Sequence, residues 1–312
     1  RLCWLSPAGR ERAGLLDSIL ADFGRIGWRP ADYQADLLRK TREGKAGATS
    51  RSDSITKDIL LTQAFFRFYS QLRWGREQPG LGFDGWGAVS GDSALADSVF
   101  SYITPGALRR LPASTWPRWP VYQRIADQLR FYDSQLTSPG FADVQVKSRR
   151  VTTENRELCQ RLTQLGFPLS PGRGLTDSLL QQTLKAFQLS MDLVPDAVLG
   201  PATLAALRVS LRSRFNSFSR SLAQYRWLAA RQGREGEVLV VNIPAATLKA
   251  YAGSSVLLRM KTIVGKPSTR TSRLSSRIDR IVLYPYWMVP ASIAQKEFLP
   301  RIRRNPAYLD AM

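Results

Sequence analysis

The sequence contains no histidine and only two cysteines among its 312 residues. Without histidine, the chain lacks the side chain that most often serves as a general base near neutral pH. Cys3 and Cys159 are too few for a disulfide framework, and their spacing fits no metal site. Cys159 lies among leucines at helical spacing, which favours a small buried hydrophobe over a reactive thiol. We expect Cys3 to lie in a frayed terminus.

Long apolar runs are also absent. No stretch approaches the roughly 20 residues that are needed to span a bilayer, and the first fourteen residues lack the apolar run of a signal peptide. The chain begins with Arg1 rather than Met. This is the pattern of an envelope protein without its signal, and equally that of a fragment.

Acidic residues are few relative to basic ones. Lys and Arg together number 45 against 25 Asp and Glu, which gives a net charge of +20. Such an excess favours an anionic partner, namely nucleic acid, an anionic membrane surface or a carboxylate-rich polymer, although a general preference for arginine gives the same count. The arginines are scattered, and we find no zinc-finger spacing, no RNA-recognition aromatic motif and no helix-turn-helix signal. We therefore expect no binding to nucleic acid.

The length and the hydrophobic fraction of 44% predict two or three folded domains. Residues 1–145 form a predicted helical N-terminal region, with helices at Ser54–Gly75, capped by Ser54 or Thr56, and at Val121–Gln135. Between them lie a Gly-rich loop at Gln78–Ser93, which lacks the ending of a phosphate loop, and a Pro-punctuated turn region at Thr104–Pro120.

Two further helical regions come next in the chain. Residues 146–210 predict three short helices, Thr153–Leu165, Thr176–Ser190 and Gly200–Val209, around one small core. The leucines at 158, 162, 165, 179, 180, 184, 204 and 207, together with Phe187, are the predicted core. Residues 211–235 form a basic connecting helix, which either lies on a membrane surface or packs on the β-rich segment after it.

Residues 236–312 change to a β pattern. Val238–Val241 and Thr247–Tyr251 are predicted strands, and Val256–Val264 is the return strand of a hairpin that turns at Ala252-Gly253-Ser254. Another strand is predicted at Arg277–Leu283. Pro290 is then predicted to begin a helix that Asn305-Pro306 ends.

The second of the three predicted helices carries Phe187-Gln188, Asp196 follows it, and Gly200 and Thr203 open the third helix. This pattern resembles a helical peptidoglycan-binding domain that is found in many bacterial wall enzymes. That family has a Phe-Gln pair on its second helix, then Asp-Gly, then Gly-x-x-Thr opening the third. Ala197 replaces the usual Gly, so the turn must accommodate a Cβ there. A structural spacer without affinity for glycan is the alternative interpretation.

A series of short motifs runs from the connecting helix onward: Tyr225-Arg226-Trp227-Leu228, Val241-Asn242-Ile243-Pro244, Val264-Gly265-Lys266-Pro267, Pro285-Tyr286-Trp287 with Val289-Pro290, and Ser292-Ile293-Ala294 with Leu299-Pro300. In these motifs and in their order, the segment resembles the start of the L,D-transpeptidase catalytic domain. Together with the helical regions, they resemble the large periplasmic L,D-transpeptidases over most of residues 54–312.

The resemblance implies a nucleophilic acyl transfer. In the family, a Cys thiolate activated by a His attacks the third residue of a peptidoglycan stem peptide, D-Ala leaves, and an amine resolves the thioester into a 3→3 cross-link. No metal or dissociable cofactor is needed. The family carries this His and a Ser-His-Gly-Cys-x-x-Arg motif downstream of the segment seen here. The chain therefore has no catalytic residue of its own, and we expect it to be a truncated and inactive member.

The predicted fold is thus α+β and multidomain, with a helical N-terminal region, a three-helix peptidoglycan-binding domain and an incomplete β-rich L,D-transpeptidase catalytic domain. Peptidoglycan is the expected partner, in the periplasm or cell envelope of a bacterium. Tyr286 and Trp287 are candidates to line a donor cleft, although core aromatics are the alternative. Gln188 and Asp196 are candidates to contact glycan, although Asp196 is equally suited to cap the third helix or hold the turn. A non-catalytic peptidoglycan-binding module is the alternative function.

Overall fold

The computed structural model describes residues 3–47, 50–75, 101–117, 119–169, 174–231, 237–253, 255–274, 276–284, 286 and 288–309. The predicted Gly-rich loop at Gln78–Ser93 lies outside these residues, and so does Trp287. The described residues fall into two compact units, the first reaching Thr271 and the second beginning at Ser272. The predicted combination of helices with a sheet is confirmed.

The N-terminal region is helical and has an aromatic core. Its helices are α1 (Pro7–Gly24), α2 (Ala35–Arg42), α3 (Arg51–Trp74), α4 (Pro105–Thr115) and α5 (Pro120–Leu136), with a 3₁₀ turn at Pro30–Tyr33. Phe23 packs edge-to-face against Phe68 at 5.4 Å and against Trp28 at 5.0 Å between ring centroids. Such pairs add to the free energy of simple area burial.

Helix α3 begins earlier than predicted. Its N-cap is Ser50, whose hydroxyl accepts a hydrogen bond from the Asp53 N–H at 3.1 Å. Ser54 and Thr56, the predicted caps, lie inside the helix and donate to the carbonyls of Ser50 and Ser52. Gly75 ends the helix, as predicted.

The predicted turn region at Thr104–Pro120 is wrong, because it contains helix α4. Thr104 caps this helix, and Pro105 occupies its first turn, where a missing N–H costs nothing. Leu108 and Leu111 are buried and hold the helix against the core, although Pro112 lies within it. Burial of an apolar face here outweighs the local effect of proline.

The three short helices are confirmed as α6 (Arg156–Gln164), α7 (Asp177–Ser190) and α8 (Pro201–Arg208). Asn155 and Thr176 cap α6 and α7 through their side-chain oxygens. The predicted core residues are buried, with the exception of Leu179, which is exposed.

Helix α9 (Leu211–Arg231) packs mainly on helices that precede it in the chain. The β-rich segment after α9 is therefore not its main packing partner, contrary to the prediction. Its main neighbours are α5 and α3, and Phe218 stacks on Tyr132 of α5 at 5.8 Å. This helix is therefore an internal part of the first unit. Among the described residues, no helix is both long enough and apolar enough to cross a membrane.

The sheet has three antiparallel strands in the order β1 (Glu237–Asn242), β2 (Thr247–Ala252) and β3 (Ser255–Lys261). Asn242 pairs with Thr247, and Ala252 pairs with Ser255, so both connections are hairpins. Tyr251 of β2 is buried and stacks on Trp119 at 5.7 Å, with an angle of 12° between the rings. This stack fixes the sheet to the helical part of the first unit.

The second unit contains little regular structure among its described residues. The predicted strand at Arg277–Leu283 is wrong: the segment is irregular, and Ile278, Ile281 and Leu283 are exposed. A strand needs a partner for its backbone groups, and no pairing of this segment is present in the described part of the chain. The predicted helix after Pro290 is confirmed as α10 (Ala291–Ile293), a π-helical turn (Ala294–Phe298) and α11 (Leu299–Arg304), which Asn305 ends.

Candidate functional site

The turn between α7 and α8 is held by the amide of Gln188. Gln188 is 1% exposed, and its Nε2 lies 2.9 Å from Asp196 Oδ1, 3.0 Å from the Val198 carbonyl and 3.1 Å from Thr203 Oγ1. Its Oε1 accepts a hydrogen bond from the Ala197 N–H at 2.9 Å. The buried amide is thus fully paired, and it joins both ends of the turn to α7.

Asp196 is exposed and orders the same turn. Its Oδ1 accepts hydrogen bonds from the Val198 N–H at 2.8 Å and from Gln188. These bonds, first that from Val198, lower the pKa of the Asp196 carboxyl, because they stabilise the ionised form. Helix α8 has Gly200 at its N-cap and no side-chain cap. Asp196 therefore holds the turn and does not cap α8.

Ala197 has a positive φ of 58°. This is the left-handed region, in which an L-residue with a Cβ is strained. The sequence had indicated this position, since Ala stands where the resembling family has Gly. The Gln188 amide binds the Ala197 N–H and keeps the backbone in this conformation.

The same turn presents apolar side chains to solvent. Leu189 is 63% exposed, Val194 74% and Val198 57%. We refer to Leu189, Val194, Asp196 and Val198 as the turn surface. An exposed group of apolar residues beside a carboxylate is a feature of binding surfaces. Sequence reasoning missed the three apolar residues, because helical periodicity assigns residues to a core and does not identify exposed positions at a helix end or in a loop.

Buried arginines stabilise the ends of the helices around this unit. Arg161 is fully buried, donates to the carbonyls of Leu207 in the last turn of α8 and of Val209 just after it, and pairs with Asp143 at 2.8 Å. Asp143 Oδ1 also accepts from the Leu211 N–H, at the first residue of α9. The ion pair therefore ties α6, α8 and α9 together and fixes the unit against the connecting helix.

Arg226 stabilises the end of a helix in the N-terminal region. It is 3% exposed, and its guanidinium donates to the Leu72 carbonyl at the end of α3 and to the Tyr122 hydroxyl. The rings of Phe23, Trp28 and Trp116 lie within 6 Å of its charge. This arginine is part of the Tyr-Arg-Trp motif, which therefore has a packing role in the structure.

The loop after β3 is tightly closed. The Gly265 N–H donates to Thr271 Oγ1 at 2.7 Å, and the Thr269 N–H donates to the Lys266 carbonyl. A Cβ on Gly265 would lie 1.9 Å from the Thr269 carbonyl oxygen, so only glycine fits there. The Gly-Lys-Pro motif thus corresponds to a compact loop at the end of the sheet.

Tyr286 lies in the second unit and is 95% exposed. Its neighbour Trp287 lies outside the described residues. The structure brings Gln188 and Asp196 together in one turn, and Tyr286 belongs to a different unit.

Neither cysteine has the features of an activated nucleophile. Cys159 lies on α6 and Cys3 lies near the N-terminus, and burial raises the pKa of both thiols. A raised pKa lowers the fraction of reactive thiolate at neutral pH. The prediction of a frayed terminus around Cys3 is wrong, because Asp58 accepts the backbone N–H groups of Cys3 and Trp4. No group of three or more Cys, Asp or Glu side chains suited to a metal ion is found in the described ranges.

Three family profiles match this chain. Residues 236–312 match the "L,D-transpeptidase catalytic domain", and residues 153–207 match the "putative peptidoglycan binding domain". The resemblance to the L,D-transpeptidase family is confirmed. Residues 1–129 match a profile described as "Scaffold domain". The resemblance of the three-helix unit to a peptidoglycan-binding domain is confirmed as well.

A curated relative supports the same assignment. The chain is 31% identical over 71 residues to a "putative L,D-transpeptidase" of Haemophilus influenzae. The aligned part covers 23% of this chain and 14% of the length of that relative.

Proposed function

We propose that this chain is a part of a peptidoglycan L,D-transpeptidase and that its contribution is to bind the wall. The observation that carries this proposal is the order of its parts, in which a three-helix unit of peptidoglycan-binding type leads through α9 to a sheet of the catalytic type. The functional divisions that we propose are residues 1–145, 146–210, 211–235 and 236–312. The compartment is the periplasm of a bacterial envelope.

The turn surface is the proposed contact with the wall. Val194, Val198 and Leu189 present apolar groups, and Asp196 presents a carboxylate that can accept hydrogen bonds from sugar hydroxyls. Gln188 acts on this contact by holding the turn, since its amide is buried and fully paired. Tyr286 and Trp287 are proposed to line the donor cleft of the catalytic domain.

The chemistry of the proposed enzyme is transfer of a stem-peptide acyl group from D-Ala to the amine of a neighbouring stem, through a cysteine thioester. The 312 residues of this chain do not carry out that step by themselves. They include no histidine, and burial raises the pKa of both thiols. Cys159 also belongs to α6 of the wall-binding unit rather than to the sheet.

Intact-mass spectrometry of the chain incubated with a stem tetrapeptide tests the inactivity. We expect no covalent adduct, because neither thiol has an activating base. An acyl-tripeptide adduct that disappears in Cys159→Ser or Cys3→Ser would overturn this part of the proposal. A parallel incubation of the chain with purified sacculi measures how much of the chain is retained. Loss of acyl transfer and loss of wall binding are therefore recorded separately.

A non-catalytic peptidoglycan-binding module is the second candidate function. It is favoured by the exposed turn surface together with the raised pKa of both half-buried thiols. An anionic membrane surface is a further proposed partner because of the net charge of +20. Attraction by charge weakens as salt is added, whereas apolar contact with glycan does not. Retention of the chain on sacculi at low and at high salt therefore distinguishes apolar contact with glycan from attraction by charge.

A further inference from the structure

A cleft of about 370 Å³ lies where α5 ends and α6 crosses the connecting segment. It is lined by Gln135 at the end of α5, by the segment Ser138–Val144 that follows this helix, and by Gln160, Thr163 and Gln164 from α6. The volume falls within the range of roughly 300–1,000 Å³ that is typical of small-ligand sites. The cleft is separate from the turn surface and contains no residue of it.

The wall of this cleft is fixed by a buried amide. Gln164 is 8% exposed, and its Oε1 accepts from the Val144 N–H at 3.2 Å and from Arg161 at 3.0 Å. Its Nε2 donates to the Ala142 carbonyl at 2.9 Å. The connecting segment is thereby bound to α6, so the cleft has a defined shape before any ligand enters.

The lining offers no uncompensated charge. Asp143 is its one charged residue, and Asp143 Oδ1 is bound by Arg161 and by the Leu211 N–H, each at 2.8 Å. Because the lining includes no cation, a ligand with free carboxylates gains no ion pair there. The chemistry therefore favours an uncharged ligand.

The remaining groups are amides, hydroxyls and one aromatic ring. The Thr163 and Ser138 hydroxyls donate within the chain to the carbonyls of Cys159 and Ser134, so they can only accept from a ligand. The amides of Gln160 and Gln135 can both donate and accept. Phe141 is half-buried and supplies an apolar surface. This combination matches a sugar ring, which carries hydroxyls around its edge and C–H groups on its faces.

We propose that this cleft binds an uncharged N-acetylhexosamine unit of the glycan strand, at the junction of the helical region and the wall-binding unit. The inference rests on the proposed function and names the part of peptidoglycan that the chain recognises there. An amide of Gln160 or Gln135 pairs with the N-acetyl group or a hydroxyl, and Phe141 lies against the face of the ring.

The test uses the full chain and chitohexaose, an uncharged oligomer of N-acetylglucosamine, in an NMR titration that gives both affinity and location. Gln160→Ala and Gln135→Ala remove the amides, and Ala142→Trp fills the cleft from an exposed position. Gln182→Ala, an exposed glutamine of α7, is the matched control. We expect each amide variant to weaken binding about five- to tenfold, the value of one hydrogen bond, and Ala142→Trp to abolish it. The control should bind as the wild type does.

Three results would overturn the inference: no binding of chitohexaose by the wild-type chain, equal affinity in all variants, or shifts confined to residues outside the cleft. Preferential binding of a free stem tripeptide in the cleft would also overturn it, because the ligand class would be wrong. Sacculus retention of the same variants separates the two proposals. If the wild-type chain is retained but does not bind chitohexaose in the cleft, the glycan site fails and wall binding stands; if the wild-type chain is not retained, the proposed function itself fails.

Discussion

Ala197 occupies a backbone conformation that favours glycine. Its φ of 58° costs an L-residue about 1 kcal/mol relative to Gly, and the Gln188 amide keeps it there. We therefore predict that Ala197→Gly raises the free energy of unfolding of the chain by about 1 kcal/mol. Denaturant unfolding measures this change.

The matched control is Ala186→Gly, at an exposed position inside α7. This change should lower stability by about 1 kcal/mol, since Gly weakens a helix interior. Equal effects of the two substitutions would contradict the positive φ of residue 197.

Asp196 makes the turn sensitive to acid. Hydrogen bonds from Val198 and Gln188 lower the pKa of its carboxyl in the folded state. The stabilisation is therefore fully present above the unfolded pKa of about 4 and is lost as the pH falls through the lower folded value. We predict that the wild type is more stable than Asp196→Asn at pH 7 and that the difference shrinks below about pH 4.

Thermal unfolding of both proteins across this pH range provides the measurement. Asp192→Asn, at a second exposed carboxylate of the same connection, is the control. A difference between wild type and Asp196→Asn that stays constant down to the lowest pH would show that the charge of Asp196 plays no part in holding the turn.

At the scale of elements, α9 is held by close contact with two glycines. Gly27 and Gly75 both have positive φ, and a Cβ on either would lie within 2.5 Å of an atom of α9, from Ser219 and Trp227 respectively. We predict that Gly75→Ala lowers the free energy of unfolding by roughly 2–4 kcal/mol, because it adds overpacking to backbone strain.

Gly140→Ala separates these two causes. Gly140 also has a positive φ, but a Cβ there meets nothing within 4 Å. Urea unfolding should show a loss of only about 1–2 kcal/mol for this control. If Gly75→Ala and Gly140→Ala lower the free energy of unfolding by the same amount, close packing of α9 does not depend on Gly75.

The sheet depends on its contact with the helices. Tyr251 is buried against Trp119, while Leu239 and Val241 of β1 and Leu257 of β3 are exposed on the two outer strands. We predict that residues 236–312, produced alone, are poorly soluble, because unpaired apolar strand edges associate. Gel filtration and an NMR spectrum of this piece are the measurements, and a sharp, dispersed spectrum from a monomer would disprove the prediction.

Local patterns predicted the elements better than they predicted their contacts. The helices α5 to α8 and the hairpin at Ala252-Gly253-Ser254 are indicated by apolar spacing and turn residues, which act within a few positions of each other. Helix α4 was missed, because its prolines favoured a turn and its two buried leucines were too few to indicate a helix. Arg277–Leu283 was wrongly assigned to a strand, since pairing depends on residues distant in sequence. The burial of the Gln188 amide is likewise a tertiary fact that spacing alone does not reveal.

At the scale of the whole molecule, charge and wall binding are separate properties. The net charge of +20 attracts any anionic surface at low salt. The turn surface, in contrast, is mostly apolar, so its contribution should persist when charge is screened. The central claim is that the three-helix unit recognises peptidoglycan through this surface.

Co-sedimentation of the full chain with purified sacculi at about 0.5 M salt, where charge acts over only a few ångströms, tests that claim most directly. The variants are Leu189→Asp combined with Val198→Asp on the turn surface, and Leu179→Asp at the other end of α7 as the control with a comparable exposed leucine. We predict that the wild type and Leu179→Asp sediment with the sacculi and that the double variant remains in the supernatant. Wild-type chain left in the supernatant, or a double variant that sediments as well as the wild type, would contradict the account.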